Sequence, residues 1–160
     1  EFRRVLFRSF VQGYNAQLSV DSESHVIVSC HVSTAGNDID ELKPTIDQIQ
    51  KNIGVMPKEL SADFGYLSDE NLKILEDNNI KGYIAVGAVA SEYKKVSKPG
   101  SRLQKMIQRI KKGGSRTRYR LRKQTVETVF ATIKAHMNFR QFYLRGKNST
   151  QQEWNIICIA

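Results

Sequence analysis

The feature that most constrains the fold is a hydrophobic period that switches back and forth between two and about 3.6 along residues 13–86. GYNAQLSV alternates and reads as a strand, DSES as a turn and HVIVSCHVS as a second strand, so residues 13–33 predict a β-hairpin. After the loop TAGN, Asp38 stands as a helix N-cap, and Glu41 three residues on completes a capping box for a helix over residues 39–52. Leu42, Ile46, Ile49 and Ile53 mark its buried stripe; Gly54 and Pro57 end it. LSAD follows as a short strand ending at Asp63, FGY as a turn, and Ser68 as the cap of a second helix with Glu70 in its first turn and Leu72, Ile74 and Leu75 facing inward. KGYIAV, residues 81–86, gives one more strand. The order β-β-α-β-α-β, a hairpin followed by strands alternating with helices, predicts a mixed α/β sheet flanked by helices.

Charge divides the chain at about the point where this pattern ends. Residues 91–160 hold 17 Lys/Arg and three acids, Glu92, Glu127 and Glu153, a net +14; residues 1–90 hold 8 Lys/Arg and 13 Asp/Glu, a net −5. The overall +9 and a pI near 9.7, concentrated in residues 94–123, point to a nucleic-acid backbone as partner. A basic membrane-surface helix is the rival, but SRLQKMIQRIKK offers only Leu103, Met106, Ile107 and Ile110 as an apolar face. The KPGS and KKGGS borders mark residues 91–118 as a basic, mobile excursion containing one helix, 101–112.

Within this basic half, YRLRKQTVETVFATIK, residues 119–134, predicts a helix with Val126, Val129, Phe130 and Ile133 at i, i+3, i+4 and i+7. Glu127 lies beside that apolar edge, with Lys123 and Lys134 near the same stripe. The ordinary reading of Glu127 is a surface carboxylate paired with Lys123, worth about a few tenths of a kcal/mol. The alternative is a carboxylate retained in a cationic field to hold a divalent cation against a bound polyanion, since hard cations take oxygen ligands. Asp63 poses a similar choice. It either accepts hydrogen bonds from its own turn or sits where open α/β sheets place functional side chains, at the C-terminal end of a strand. Together the two carboxylates point to a two-metal phosphoryl-transfer site.

A length of 160 residues and 40% hydrophobic content suit one domain with a proper core. No apolar run approaches the roughly 18 residues of a membrane span, and nothing has the layout of a signal peptide, so the expectation is a cytosolic protein. Cys30 and Cys158 lie in apolar runs without metal spacing and read as reduced core residues. His25, His31 and His136 lack HExxH or Cys/His spacing and read as structural or exposed. Trp154, Phe139, Phe142 and Tyr143 read as core aromatics, with base stacking as the alternative. GAVASEYKK lacks a phosphate-loop pattern. EFRRVLFRSF matches neither the composition nor the periodicity of the chain beyond it, so residues 1–9 are set aside as a non-native leader, and EWNIICIA ends without a terminator signal; the chain reads as a fragment cut at both sides.

GYNAQLSVD, TAGNDIDEL, SADFGY and YRLRKQTVETVFATIK, followed by NFRQFYLRG and the Trp-containing tail, resemble the catalytic domain of bacterial insertion-sequence DDE transposases over residues 13–160. The resemblance implies a ribonuclease H-like fold, residues 10–160 as a catalytic-domain fragment, and metal-dependent DNA cleavage and strand transfer at transposon ends. It implies Asp63 and Glu127 as catalytic, metal-binding carboxylates, Tyr66 as part of the turn motif, and Mg²⁺ or Mn²⁺ as cofactor. It further implies phosphate contacts from Tyr119, Arg120, Arg122, Lys123, Lys134, Arg140 and Arg145. Double-stranded DNA would be the partner, the location the bacterial nucleoid, and the intact enzyme a homodimer.

Two departures bear on this. Some relatives carry Tyr, two residues, Arg, three residues, Glu, six residues, Lys; here Glu127 and Lys134 keep the last spacing, while Lys123 fills the Arg slot and Arg120 the Tyr slot. The family's first catalytic Asp belongs on a strand before GYNAQ, where residues 1–12 contain none, so the first strand is expected to be missing or replaced and the fragment inactive. Asp21 falls in a turn and Asp38 and Asp40 begin a helix, so none is expected to replace it. A ribonuclease H-like nuclease and a non-catalytic basic DNA-binding fragment remain as alternatives.

Overall fold

The structure, a computed structural model, describes residues 13–86, 100–112 and 118–160, with residues 118–123 described in backbone only. The expected leader over residues 1–9 and the excursion residues 91–99 and 113–117 lie outside the described residues. Strands β1 (Asn15–Val20) and β2 (Ile27–Ser33) form the predicted antiparallel hairpin, with Leu18 opposite Cys30 and an irregularity at Ser19/Val20. Asp21 closes the turn, its Oδ2 accepting from the Ser24 backbone N–H at 2.8 Å and the Ser24 hydroxyl at 2.7 Å. His25, expected in the second strand, instead has φ +58° within the turn.

The next helix is two pieces, a 3₁₀ turn (Ile39–Glu41) and α1 (Leu42–Ile53). The expected capping box does not form. Asp38 makes no side-chain cap, and the buried Glu41 carboxylate accepts from the Ser33 hydroxyl and pairs with His31 Nε2 at 2.8 Å. A buried carboxylate needs close donors, and β2 supplies them. Leu42, Ile46 and Ile49 are buried as expected, but Ile53 is 49% exposed. The last turn stays tied to β2, Asn52 donating to the Val28 carbonyl at 2.9 Å, but Ile53 lines a hollow with residues of β1 and β3 instead of packing. Gly54, at φ +81°, donates to Gln50 O and stops the helix where an L-residue would be strained.

Strand β3 (Glu59–Ala62), helix α2 (Asp69–Asp77) and strand β4 (Lys81–Ile84) follow, β3 and β4 pairing in parallel with Leu60 beside Gly82. Ser68 caps α2 as predicted, accepting from Asn71 N–H at 3.0 Å. The sheet differs from the expectation of one mixed sheet. Among the described residues it is two two-stranded ladders, β1-β2 and β3-β4, because no described strand lies between β1 and β3.

Among the described residues three helices follow: α3 (Arg102–Lys112), α4 (Arg118–Ala135) and α5 (Lys147–Ile159). The described part of the expected excursion is packed. Met106 and Ile107 of α3 are buried, Arg109 donates to Gly82 O at 3.1 Å, and Arg102 pairs with Glu76 at 2.6 Å. The reason is its apolar stripe, Leu103, Met106 and Ile110, which packs with Leu72 and Leu75 of α2 and Ile84 of β4.

Apolar packing falls in two clusters. One joins α1, α2, β4 and α3 through Leu42, Ile46, Leu75, Ile84 and Met106. The other joins the hairpin, α4 and α5 through Val32, Ile133 and Trp154, with Phe130, Phe139 and Phe142 against them. Trp154, 2% exposed, donates its indole N–H to Gln17 O at 3.0 Å. Cys30 and Cys158 border this second cluster, half-buried and unbridged. No helix among the described residues is long and apolar enough to cross a membrane.

Candidate active site

Among the described residues, the two ladders leave a gap between β1 and β3, floored by α4. One end is a cleft of about 280 Å³ lined by Asn15 to Leu18 of β1, Asp38, Ala62 and Asp63 at the end of β3, and Val126, Glu127 and Phe130 of α4. Asp63 and Glu127, 64 positions apart in sequence, therefore line one cleft.

Local structure explains each placement. Asp63 lies just past β3 in extended conformation and caps the 3₁₀ turn Phe64–Tyr66, its Oδ1 accepting from Gly65 N–H at 2.9 Å. Asp63 caps its own turn and also lines the cleft, since a carboxylate has a second oxygen to present. Glu127 is exposed, and among the described residues its carboxylate has no hydrogen-bond or ion-pair partner. The i,i+4 partner expected for it, Lys123, belongs to the residues described in backbone only, as do Tyr119, Arg120 and Arg122. All four sit on the first turns of the helix that carries Glu127. Lys134, Arg140 and Arg145 line a neighbouring hollow rather than the cleft itself.

Sequence reasoning placed Asp38 at a helix start, away from the site, and the structure corrects this. Asp38 lines the cleft, with Oδ1 accepting from Asn15 Nδ2 at 2.6 Å and Gln17 Nε2 at 2.7 Å. Its Oδ2 and Asp63 Oδ1 lie 2.8 and 3.2 Å from the point where a Cβ on residue 65 would stand, so glycine is what lets the two carboxylates flank the turn. Gln17, buried, also accepts from the Tyr66 hydroxyl, which ties the turn to β1. Burial, reinforced by the negative charges of Asp38, Asp63 and Glu41, holds the Tyr66 phenol well above its ordinary pKa, so it stays a donor. An Asp before a helical pattern looks the same whether it caps or turns into a cleft. Only the donors brought by β1 distinguish the two.

The family model described as "Transposase DDE domain" matches residues 8–160. The chain belongs to the transposase DDE domain family. Neither the comparison with curated proteins nor that with solved structures finds a match. In this transposase domain, Asp63 Oδ2 and both oxygens of Glu127 are hard donors left without a protein partner among the described residues, a set suited to Mg²⁺ or Mn²⁺. No group of three His, Cys, Asp or Glu among the described residues is arranged to hold a metal ion, so Asp38 lines the cleft without completing a three-carboxylate set. Two of the amides in the cleft already occupy one of its oxygens.

Proposed function

We propose that this transposase domain is built for metal-dependent cleavage and strand transfer of double-stranded DNA at transposon ends, with Asp63 and Glu127 as the carboxylates that bind metal. The observation that carries the reading is that a strand-end Asp and the lone Glu of a basic helix line the same cleft. A divalent cation bound there would supply Lewis-acid activation of a water or 3′-hydroxyl and offset charge on the leaving oxygen. Mg²⁺ is commonly held by one or two carboxylates, with water and substrate phosphate completing its shell, so two carboxylates fit it. The chain's own contribution is orientation. Gly65 N–H fixes the rotation of Asp63, the Tyr66–Gln17–Asp38 network fixes the turn, and Lys134, Arg140 and Arg145 offer positive charge beside the cleft for the DNA backbone.

The ribonuclease H-like fold belongs to the same proposal. The gap between β1 and β3 runs from the carboxylate cleft to a second hollow of about 320 Å³ lined by Ser19, Val20, Glu59 and Leu60. A strand seated there would merge the two ladders in the order β2-β1-new-β3-β4 and bring the family's first Asp toward Asp63. Without an Asp in residues 1–12 the chain is expected to bind DNA and metal but not to cleave. The absence of a three-ligand set among the described residues favours one rival, a non-catalytic basic DNA-binding fragment. A ribonuclease H-like nuclease would share the cleft and differ by cleaving without joining strands.

Manganese titration followed by electron paramagnetic resonance, run with the unchanged chain, Asp63→Asn and Glu127→Gln, separates the metal-binding site from the DNA-binding fragment. Metal binding that both substitutions abolish, with duplex binding intact in all three proteins, supports the transposase site. Metal binding indifferent to both substitutions, or absent altogether, leaves the DNA-binding fragment as the function.

A further inference from the structure

Beside the carboxylate cleft, sharing Ala16 and Phe130 as a common wall, lies a larger hollow of about 490 Å³. Its floor is aromatic: Phe130 from α4, Trp154 from α5, Phe139 and Phe142 from the connection between them, and Tyr14 ahead of β1. Its rim is cationic, with Lys134, Arg140 and Arg145 all exposed. None of the three has a carboxylate partner among the described residues; Lys134 stands 5.7 Å from the Phe130 ring centroid.

The connection carrying this rim is held in place by the rest of the chain. The Glu153 carboxylate accepts from the backbone N–H of Tyr143 at 3.0 Å and of Leu144 at 3.0 Å, and the Tyr14 hydroxyl accepts from Gly146 N–H at 2.9 Å. Phe139 N–H donates to Ile133 O at 3.1 Å, and Asn138 and Gly146 turn the chain at φ +52° and +85°. Arg140 and Arg145 thus stand on the rim of the hollow on a backbone held by bonds that involve neither guanidinium. An aromatic floor below and cations without carboxylate partners above are the two halves of a nucleotide site: a ring can stack on a base and the cations can take its phosphates.

We propose that this hollow is a subsite for one unpaired nucleotide of the DNA strand whose phosphate lies in the carboxylate cleft, its base against the edge-to-face pair Phe139 and Phe142 and its flanking phosphates against Lys134, Arg140 and Arg145. The proposal rests on the transposase reading for the position of that strand. A base stacked within a duplex cannot offer its face to these rings, so the subsite selects a single-stranded end or an extruded base.

The test is fluorescence anisotropy in magnesium-free buffer with three fluorophore-labelled probes: a blunt duplex, the same duplex with a three-nucleotide 3′ overhang, and that overhang built from abasic nucleotides. The expected result is overhang binding about tenfold tighter than blunt, a preference that the abasic overhang loses. Arg140→Ala with Arg145→Ala, both on exposed residues, should lower affinity for the overhang most. A 5-bromodeoxyuridine placed in the overhang should photocrosslink within residues 139–145 or at Phe130 or Tyr14. Equal affinity for all three probes, or crosslinks confined to other parts of the chain, overturns the proposal. Because Asp63→Asn and Glu127→Gln leave this hollow intact, an overhang preference that persists in both variants upholds the subsite even where manganese binding fails. Failure of the preference in a chain that binds manganese removes the subsite alone.

Discussion

Gly65 is the residue on which the geometry of the cleft turns. An added Cβ would stand 2.8 Å from Asp38 Oδ2 and 3.2 Å from Asp63 Oδ1, so Gly65→Ala must rotate one carboxylate away. The expected outcome is a loss of manganese affinity of about tenfold or more, as for other groups that orient a metal ligand, measured by titration beside a thermal melt that changes little. Unchanged affinity would mean that Asp38 gives way instead and that Gly65 does not set the Asp63 geometry. Tyr66 carries a second consequence. Its phenol is raised chiefly by burial, so below about pH 10 it is neutral in folded and unfolded chains alike. Above that pH the unfolded chain ionises and the folded one does not, so the group makes stability fall as pH rises, by at most about 1.4 kcal/mol per pH unit. Tyr66→Phe should therefore flatten the alkaline limb of stability measured by urea unfolding between about pH 9 and 11. An equally steep limb in the variant would assign it to other groups.

At the level of elements, the helices were readable wherever one face carried the pattern. Ser68 caps α2 and Leu72 and Leu75 are buried because a capped amphipathic helix needs no distant partner to specify its inner face. The strand β4 that it covers is tighter than its sequence suggests. A Cβ on Gly82 would stand 2.5 Å from Leu75 Cδ1, so Gly82→Ala must displace α2 or the leucine. A destabilisation of about 1–3 kcal/mol is expected, read as a lower urea midpoint, with Leu75→Ala in the same chain restoring part of it if that contact is the cause. The capping box at Asp38 and Glu41 failed for the opposite reason. Both carboxylates found donors outside their own helix, in β1 and in β2, and these outcompete a local cap.

Across the whole molecule, charge and packing divide the same way. The carboxylate-rich first half builds both ladders, and the basic second half supplies α4, which floors the gap between them, and the rim beside the cleft. Duplex affinity should fall steeply with salt, because released counterions drive phosphate binding. Lys134→Ala should lower the log–log slope by about one, measured by anisotropy from about 50 to 300 mM salt; a slope untouched by the substitution would place the duplex elsewhere. The sequence by itself determined the element order, the hairpin, the capped α2, the two carboxylates worth testing and the polyanionic partner, because period, caps and net charge are local or additive properties of the chain. Only the tertiary structure decided that Asp38 turns into the cleft, that the described strands form two ladders, that α3 packs instead of projecting, and that the late aromatics floor a cation-rimmed hollow. Each of those depends on donors, strands and apolar surfaces brought together from positions far apart in sequence, and no local pattern encodes such meetings.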